Sequence, residues 1–272
     1  MACLANVARR GYQRPMTRHV KLEGVDNFRD YGDYPTVDGR RLKRGVLYRS
    51  AGHSRATDAD LEALAALNLA VVVDLRRAEE RLREPSRRPA DFAGVVIAND
   101  EVHDEDSWTH HIATSDLTAQ SFRDYMVDYY RTAPTDRRHI DLFSRYFQAL
   151  AEADGPILIH CAAGKDRTGI LVALTHHIAG VAPEDMVADY LLTNDPVRMA
   201  QRLPLVTEAI REISGRTPDP EAVMVAMGVE AHYLEAALTV MAEQYGGVDA
   251  YLENVLGVTP QAREAVKARL LE

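Results

Sequence analysis

What the chain has little of narrows its chemistry first. Its 272 residues include two cysteines, Cys3 and Cys161, too few for a disulfide framework, and no Cys-x-x-Cys pair exists for zinc or dithiol chemistry. A reducing, cytoplasmic setting is the simplest expectation. No apolar run approaches the roughly 20 residues of a membrane-spanning helix. The first 19 residues carry Arg9, Arg10, Arg14 and Arg18 without the hydrophobic stretch of a secretory or twin-arginine signal. Residues 1–18 are therefore expected to be a flexible lead-in. Positive charge is not in excess: Lys plus Arg is 32 against 41 for Asp plus Glu, a net charge of −9, which argues against nucleic acid or an anionic membrane as a bulk partner. Lysine is scarce, at four residues, so each lysine merits inspection. Internal repeats and Gly/Ser/Pro linkers are missing, and residues 19–272 read as one domain. A hydrophobic fraction of 46% beside 27% charged residues is that of an ordinary globular protein.

What is present alternates between strand and helix patterns. Val37-Asp38-Gly39-Arg40 reads as a hairpin turn in which Asp-Gly supplies positive φ, and Val46-Leu47-Tyr48 as the strand that follows. Thr57, with Asp60 three residues on, opens an amphipathic helix over 57–68. Ala70-Val71-Val72-Val73 is a β-branched run ending at Asp74, the pattern of a buried strand, and 94–98 and Ile157-Leu158-Ile159 repeat it. The acidic stretch 99–107 is expected as a surface loop. Helices are expected over 118–131, 135–153 and 168–179, the last closed by Gly180, with Pro183 starting another. Beyond Pro183 almost only helical patterns remain. The sum is an α/β layered core with a helix-rich C-terminal third.

The chemistry concentrates in His160-Cys161-Ala162-Ala163-Gly164-Lys165-Asp166-Arg167-Thr168-Gly169. This segment lies between a buried strand and an apolar helix, where open α/β sheets place ligands. Five residues separate Cys161 from Arg167, enough to curl into a loop whose amides converge on one point with a helix dipole behind them. Such a cradle binds an anion, and it favours the thiolate of a cysteine at its rim. Arg167 can hold two oxygens of a tetrahedral dianion with its planar fork, and the Thr168 hydroxyl can donate to sulfur. Together these parts describe a phosphomonoester hydrolase in which Cys161 attacks phosphorus and a phosphocysteine forms. No metal is required, and neither His110-His111 nor His176-His177 has metal-ligand spacing.

The same ten residues resemble the phosphate-binding loop of the cysteine-dependent protein tyrosine phosphatases. More narrowly, they resemble the bacterial tyrosine/phosphoinositide phosphatases whose loop reads His-Cys-x-Ala-Gly-Lys-Asp-Arg-Thr-Gly. Asn27-Phe28-Arg29-Asp30-Tyr31-Gly32, Leu47-Tyr48-Arg49-Ser50-Ala51, Val73-Asp74-Leu75-Arg76 with Glu80 and Pro85, and Tyr245-Gly246-Gly247-Val248 are similar to further signatures of that group. The resemblance runs from about Asn27 to the end of the chain. One departure is Asp33, where the group often has a second glycine. The resemblance implies a phosphatase-like core with a central, mostly parallel sheet flanked by helices, no cofactor, and a phosphotyrosine protein or a phosphoinositide as substrate.

It also implies that Ala162, Ala163, Gly164, Lys165, Asp166, Arg167 and Thr168 bind the phosphate and that Asp166 protonates the leaving group. Asp74, at a strand end, is the next candidate acid. No Trp-Pro-Asp tripeptide occurs, and Asp104-Glu105-Asp106-Ser107-Trp108 reads as a solvated acidic run. Lys165 adds a point charge suited to a phosphate rim or a second phosphate. Arg76, Arg77, Arg81, Arg83, Arg87 and Arg88 read as a solvated face with the i,i+4 pairs Arg76–Glu80 and Glu79–Arg83. Residues 196–245, with Met224, Met227, Leu234, Leu238 and Met241 between Gly215 and Gly246-Gly247, could form a helical lid. A phosphate-binding adaptor with little turnover is the competing function, and intact Cys161, Arg167 and Thr168 weigh against it.

Overall fold

A computed structural model describes residues 18–101 and 107–272. Of the lead-in expected over 1–18, residues 1–17 lie outside the described residues, as do Cys3 and the acids Asp104, Glu105 and Asp106, while Arg18 is docked, donating to Asp33 O over 3.0 Å.

Five short strands form one sheet in the order β1-β2-β5-β3-β4, where β1 is Arg29–Asp30, β2 Leu47–Ser50, β3 Val71–Asp74, β4 Val95–Ile97 and β5 Ile157–His160. Only the β1–β2 pair is antiparallel. The register places Val71 opposite Ile157 and Asp74 opposite His160, so the period of two sorts the side chains cleanly. Leu47, Val71, Val73, Ile157 and Ile159 face the main core, while Tyr48, Val72 and Leu158 face a smaller cluster. Strands β3 and β5, buried on both faces, read as continuous apolar runs, whereas β4 corrects the expectation of a buried strand over 94–98, since it forms a sheet edge with Val95 and Val96 exposed.

The smaller side is covered by α1 (Asp58–Ala65) and by loops before and after it. Thr57 and Asp60 close a capping box on α1, with Asp60 N donating to Thr57 Oγ1 over 3.2 Å and Thr57 N to Asp60 Oδ2 over 3.0 Å. Against the other face pack α5 (Arg137–Glu152), α6 (Asp166–Ala179), α10 (Ala231–Tyr245) and α12 (Pro260–Leu270). Phe143, Tyr146, Phe147 and Leu150 of α5 are all buried there, spaced three and four residues apart on one face, with Ile140 partly buried beside them. Gly180 ends α6 at φ +78°, and the Asp38-Gly39 turn holds with Gly39 at φ +87°. A second cluster joins α3 (Ser107–Thr114), α8 (Pro196–Ser214) and α9 (Pro220–Met227) to Phe122 of α4 (Ala119–Thr132).

Several expectations need correction. The stretch 99–107 is not all loop, because α3 begins at Ser107 and buries Ile112. Helix α6 starts at Asp166 rather than Thr168, so Asp166 and Arg167 stand on its first turn. The arginine-rich stretch folds as α2 (Ala78–Arg83), yet Arg76 and Glu80 are buried rather than solvated and do not pair with each other. Leu234 and Met241 of α10 are fully buried in the main core, so the face offered as a lid reduces to α8 and α9. No single helix among the described residues is long and apolar enough to cross a membrane.

Candidate active site

The loop from Cys161 to Lys165 leaves the end of β5 and enters α6, beside the ends of β2 and β3. Its carbonyls are all tied back to the scaffold. Ala162 O accepts from Gly52 N (3.0 Å), Gly164 O from Asn27 Nδ2 and Arg49 Nη2 (2.9 Å each), and Lys165 O from Gly169 N (2.8 Å). By contrast, among the described residues no amide from Ala162 to Arg167 donates a hydrogen bond within the protein. Carbonyls pulled outward and amides left unspent make a concave donor surface, with the α6 dipole adding positive potential. Gly164 sits at φ +64°, and a Cβ there would meet Ser50 O at 2.3 Å, so only glycine lets the loop lie this close to β2. Cys161 is 2% exposed and is grouped with the buried residues of the main core.

A buried ionic network fixes the side chains that donate to those carbonyls. Asp189 of α7 (Pro183–Leu191) pairs with Arg29 at 3.3 Å and Arg49 at 2.8 Å, all three side chains shut from solvent. Arg29 Nη1 donates to Asn27 Oδ1 at 2.6 Å, which turns the Asn27 amide so that Nδ2 meets the loop. Burial opposes ionisation of Asp189, but Arg29 and Arg49 outweigh it and hold the carboxyl below the usual carboxylate range. The Asn-Phe-Arg-Asp and Leu-Tyr-Arg-Ser signatures thus gain a physical role as outer struts of the loop. Asp33, the departure from the group's glycine, takes φ +57° itself and pairs with Arg41 at 2.9 Å. Asp is among the few residues with a side chain that tolerate this region.

Arg167 is held by a bidentate pair to Glu80 of α2, at 2.5 and 2.8 Å, and Nη1 also donates to Leu75 O at 3.1 Å. Burial disfavours the Glu80 carboxylate, yet Arg167 overrides it and pulls its pKa down to about 2. The same exchange raises Arg167, against burial, well above its ordinary value. Arg138 reaches the same carbonyl, Leu75 O, at 2.7 Å. None of Glu80, Arg138 and Asp189 was expected in these roles.

Asp166 accepts from Tyr130 Oη at 3.0 Å and faces Lys165 Nζ at 3.3 Å, with part of its side chain exposed. Tyr130 in turn meets Tyr190 Oη at 2.6 Å. Lys165 is not solvated: its Nζ also donates to Ala226 O (3.0 Å) and Gly228 O (3.3 Å) at the end of α9. Thr168 Oγ1 is buried without a protein hydrogen-bond partner, as a hydroxyl reserved for a bound anion or sulfur would be.

Asp74 is 1% exposed and clamped by Arg76, at 2.9 Å to Nε and 2.8 Å to Nη2, with His160 Nε2 at 3.6 Å. Burial resists its charge, but His160 and Arg76 keep it ionised below the usual range. A carboxyl held in that form is no proton donor near neutrality, which disfavours the expectation of Asp74 as acid. His160 stacks on His53 at 4.7 Å and contacts Cys161 O at 3.4 Å. Among the described residues no cluster of His, Cys, Asp and Glu could hold a metal ion.

Comparison with known proteins agrees with this constellation. A family model described as "Tyrosine phosphatase family" matches residues 20–272. A triple specificity protein phosphatase, PtpB, of Mycobacterium tuberculosis is 34% identical over 264 residues, covering 86% of this chain and 92% of that protein. A putative tyrosine-protein phosphatase of Cupriavidus necator is 32% identical over 248 residues, covering 89% and 85%. A tyrosine-protein phosphatase of Nostoc commune is 29% identical over 249 residues, covering 87% and 78%. Matched over nearly its whole length, the chain belongs to the tyrosine phosphatase family and is a phosphomonoester hydrolase.

Proposed function

We propose that the chain hydrolyses phosphotyrosine in proteins, with Cys161 as nucleophile and Asp166 as proton donor, and that phosphoserine, phosphothreonine and phosphoinositides are further substrates. The observation that carries the site assignment is the row of unspent amides from Ala162 to Arg167 beside Cys161 and the paired Arg167. The phosphate occupies that cradle, bound by the amides and by Arg167. Cys161 Sγ attacks phosphorus, an S–P bond forms, the ester P–O bond breaks, and the leaving oxygen takes the Asp166 proton. Water then attacks phosphorus, a new P–O bond forms as the S–P bond breaks, Asp166 takes the proton from that water, and phosphate is released from the amides and Arg167. Thr168 Oγ1 donates to the sulfur as it departs. Asp74 acts one step removed, fixing Arg76 and His160. The wider substrate range is supported by Lys165 beside the cradle and by the name of the mycobacterial relative. Two cysteines in the whole chain favour a cytoplasmic place of work.

Kinetics with aryl phosphates in chelator test the assignment. Cys161→Ser is expected to bind vanadate without turnover. Asp166→Asn is expected to slow poor leaving groups by roughly a hundredfold while sparing good ones, as general acid catalysis contributes about 10²–10⁴. Equal losses on both would remove Asp166 from the role. A competition between phosphotyrosine peptides and soluble inositol phosphates at equal concentration decides the substrate class.

A further inference from the structure

The α1 side of the sheet is thinly packed. Between α1, the start of β3 and the segment that returns to β4 lies a cavity of about 440 Å³, within the range of small-molecule sites. Leu64, Leu69, Val72 and Phe92 give it apolar walls, and His53 and Arg88 line it as well. Arg88 is half-buried, its Nε is shut from solvent without a hydrogen-bond partner, and it forms no ion pair among the described residues. Burial and the neighbouring Arg76 and Arg81 disfavour its charge, the Asp74 carboxylate offsets this only in part, and an oxyanion would favour the charged form further. His53 uses Nε2 on Ser50 Oγ at 2.9 Å and, among the described residues, makes no hydrogen bond through Nδ1. Two acids line the cavity as well, Asp154 with Asn68 near the start of β3, and Asp91, three residues after Arg88 in the chain.

We propose that this cavity is a second, non-catalytic ligand site, which takes a small amphipathic carboxylate with its head on Arg88 and its apolar body against Leu69, Val72 and Phe92. The site communicates with the phosphate loop by contact. The His53 ring lies 4.7 Å from the His160 ring and 18° from parallel to it, and His160 immediately precedes Cys161. His160 also faces Asp74, which holds Arg76. An occupant pressing on His53 therefore bears on the strand end that delivers the nucleophile, while leaving the cradle open.

The test uses the full chain with octanoate as probe and octanol as its neutral counterpart, by calorimetry. Octanoate is expected to bind saturably with vanadate already bound, and octanol about tenfold more weakly, the difference a charge-assisted hydrogen bond supplies. Turnover of saturating p-nitrophenyl phosphate should shift with the octanoate concentration that half-fills the site. Arg88→Met should bring octanoate to the octanol level. Displacement of octanoate by vanadate would place it in the catalytic cradle and overturn the proposal. So would equal binding of octanoate and octanol, or none, to the unmodified protein, a result that does not depend on how the variant folds. Binding that leaves turnover unmoved would overturn the coupling through His53.

Discussion

Arg167 shows how much one side chain depends on a neighbour from elsewhere in the chain. Its guanidinium is fixed by Glu80, which accepts from Nη1 and Nη2, and by Leu75 O, which also accepts from Nη1. Glu80→Gln keeps the shape and removes the charge, so the guanidinium loses its anchor while the fold keeps its volume. We expect kcat on p-nitrophenyl phosphate to fall about tenfold or more, with weaker vanadate binding and an unchanged far-ultraviolet spectrum, since hydrogen bonds to charged groups are worth roughly 1.5–3 kcal/mol. Unchanged kcat would show that the pair is dispensable. Cys161 and Arg167 were legible because loop, strand end and helix start are contiguous in sequence. Glu80 was not: four residues from Arg76 it has a plausible local partner, and only the fold shows that Arg76 turns to Asp74 instead. Tyr130 was hidden similarly, as one of four aromatics in α4.

The elements carrying the loop act through their ends. Helix α7 contributes one carboxylate, Asp189, on the stripe it shares with Met186 and Tyr190. An acid at i, i+3, i+4 spacing with apolar residues is the signal that announces a buried partner, and it could have been noticed. Asp189→Asn would leave two arginines facing each other in the interior. A loss of about 3–5 kcal/mol in urea unfolding is expected, as for breaking a buried pair, and a loss below about 1 kcal/mol would refute the network's role. Helix α3 was missed because Ser107-Trp108-Thr109-His110-His111 has weak helix formers and follows an acidic run. It forms because Ile112 is buried in the cluster with α8 and α9. That cluster lies apart from the main core and touches the site through Lys165 and the carbonyls of Ala226 and Gly228. A phosphate that draws Lys165 inward releases those carbonyls. Proteolysis of the stretch 215–228 should therefore change when vanadate saturates the protein, and an identical cleavage pattern would rule out the lid.

At the scale of the whole molecule, the imidazoles decide how stability follows pH. Burial, before any other influence, lowers the pKa of His53, His139, His160 and His176, with His139 reaching about 4. The His139 ring is satisfied as a neutral base: Nδ1 donates to Ala133 O at 3.1 Å and Nε2 accepts from Arg138 at 2.8 Å. Above pH 6.5 these rings are neutral in both folded and unfolded chains and cost nothing. As pH falls below that value the unfolded chain takes up protons that the folded chain refuses, so stability drops, and the slope with pH is positive. For His139 alone the drop approaches about 3 kcal/mol by pH 4. The depressed carboxyls of Asp74, Glu80 and Asp189 act in the same direction, but in a lower window. Their unfolded pKa values lie near about 4, so their contribution is intact above that and is lost only as pH falls further. Between pH 7 and 5 the histidines therefore act almost alone. The thermal midpoint should fall steadily across that interval, and His176→Gln, whose amide can still donate to Tyr31 O as Nε2 does at 2.8 Å, should fall less steeply. A midpoint level from pH 7 to 5 would mean that these rings are not held neutral in the folded protein.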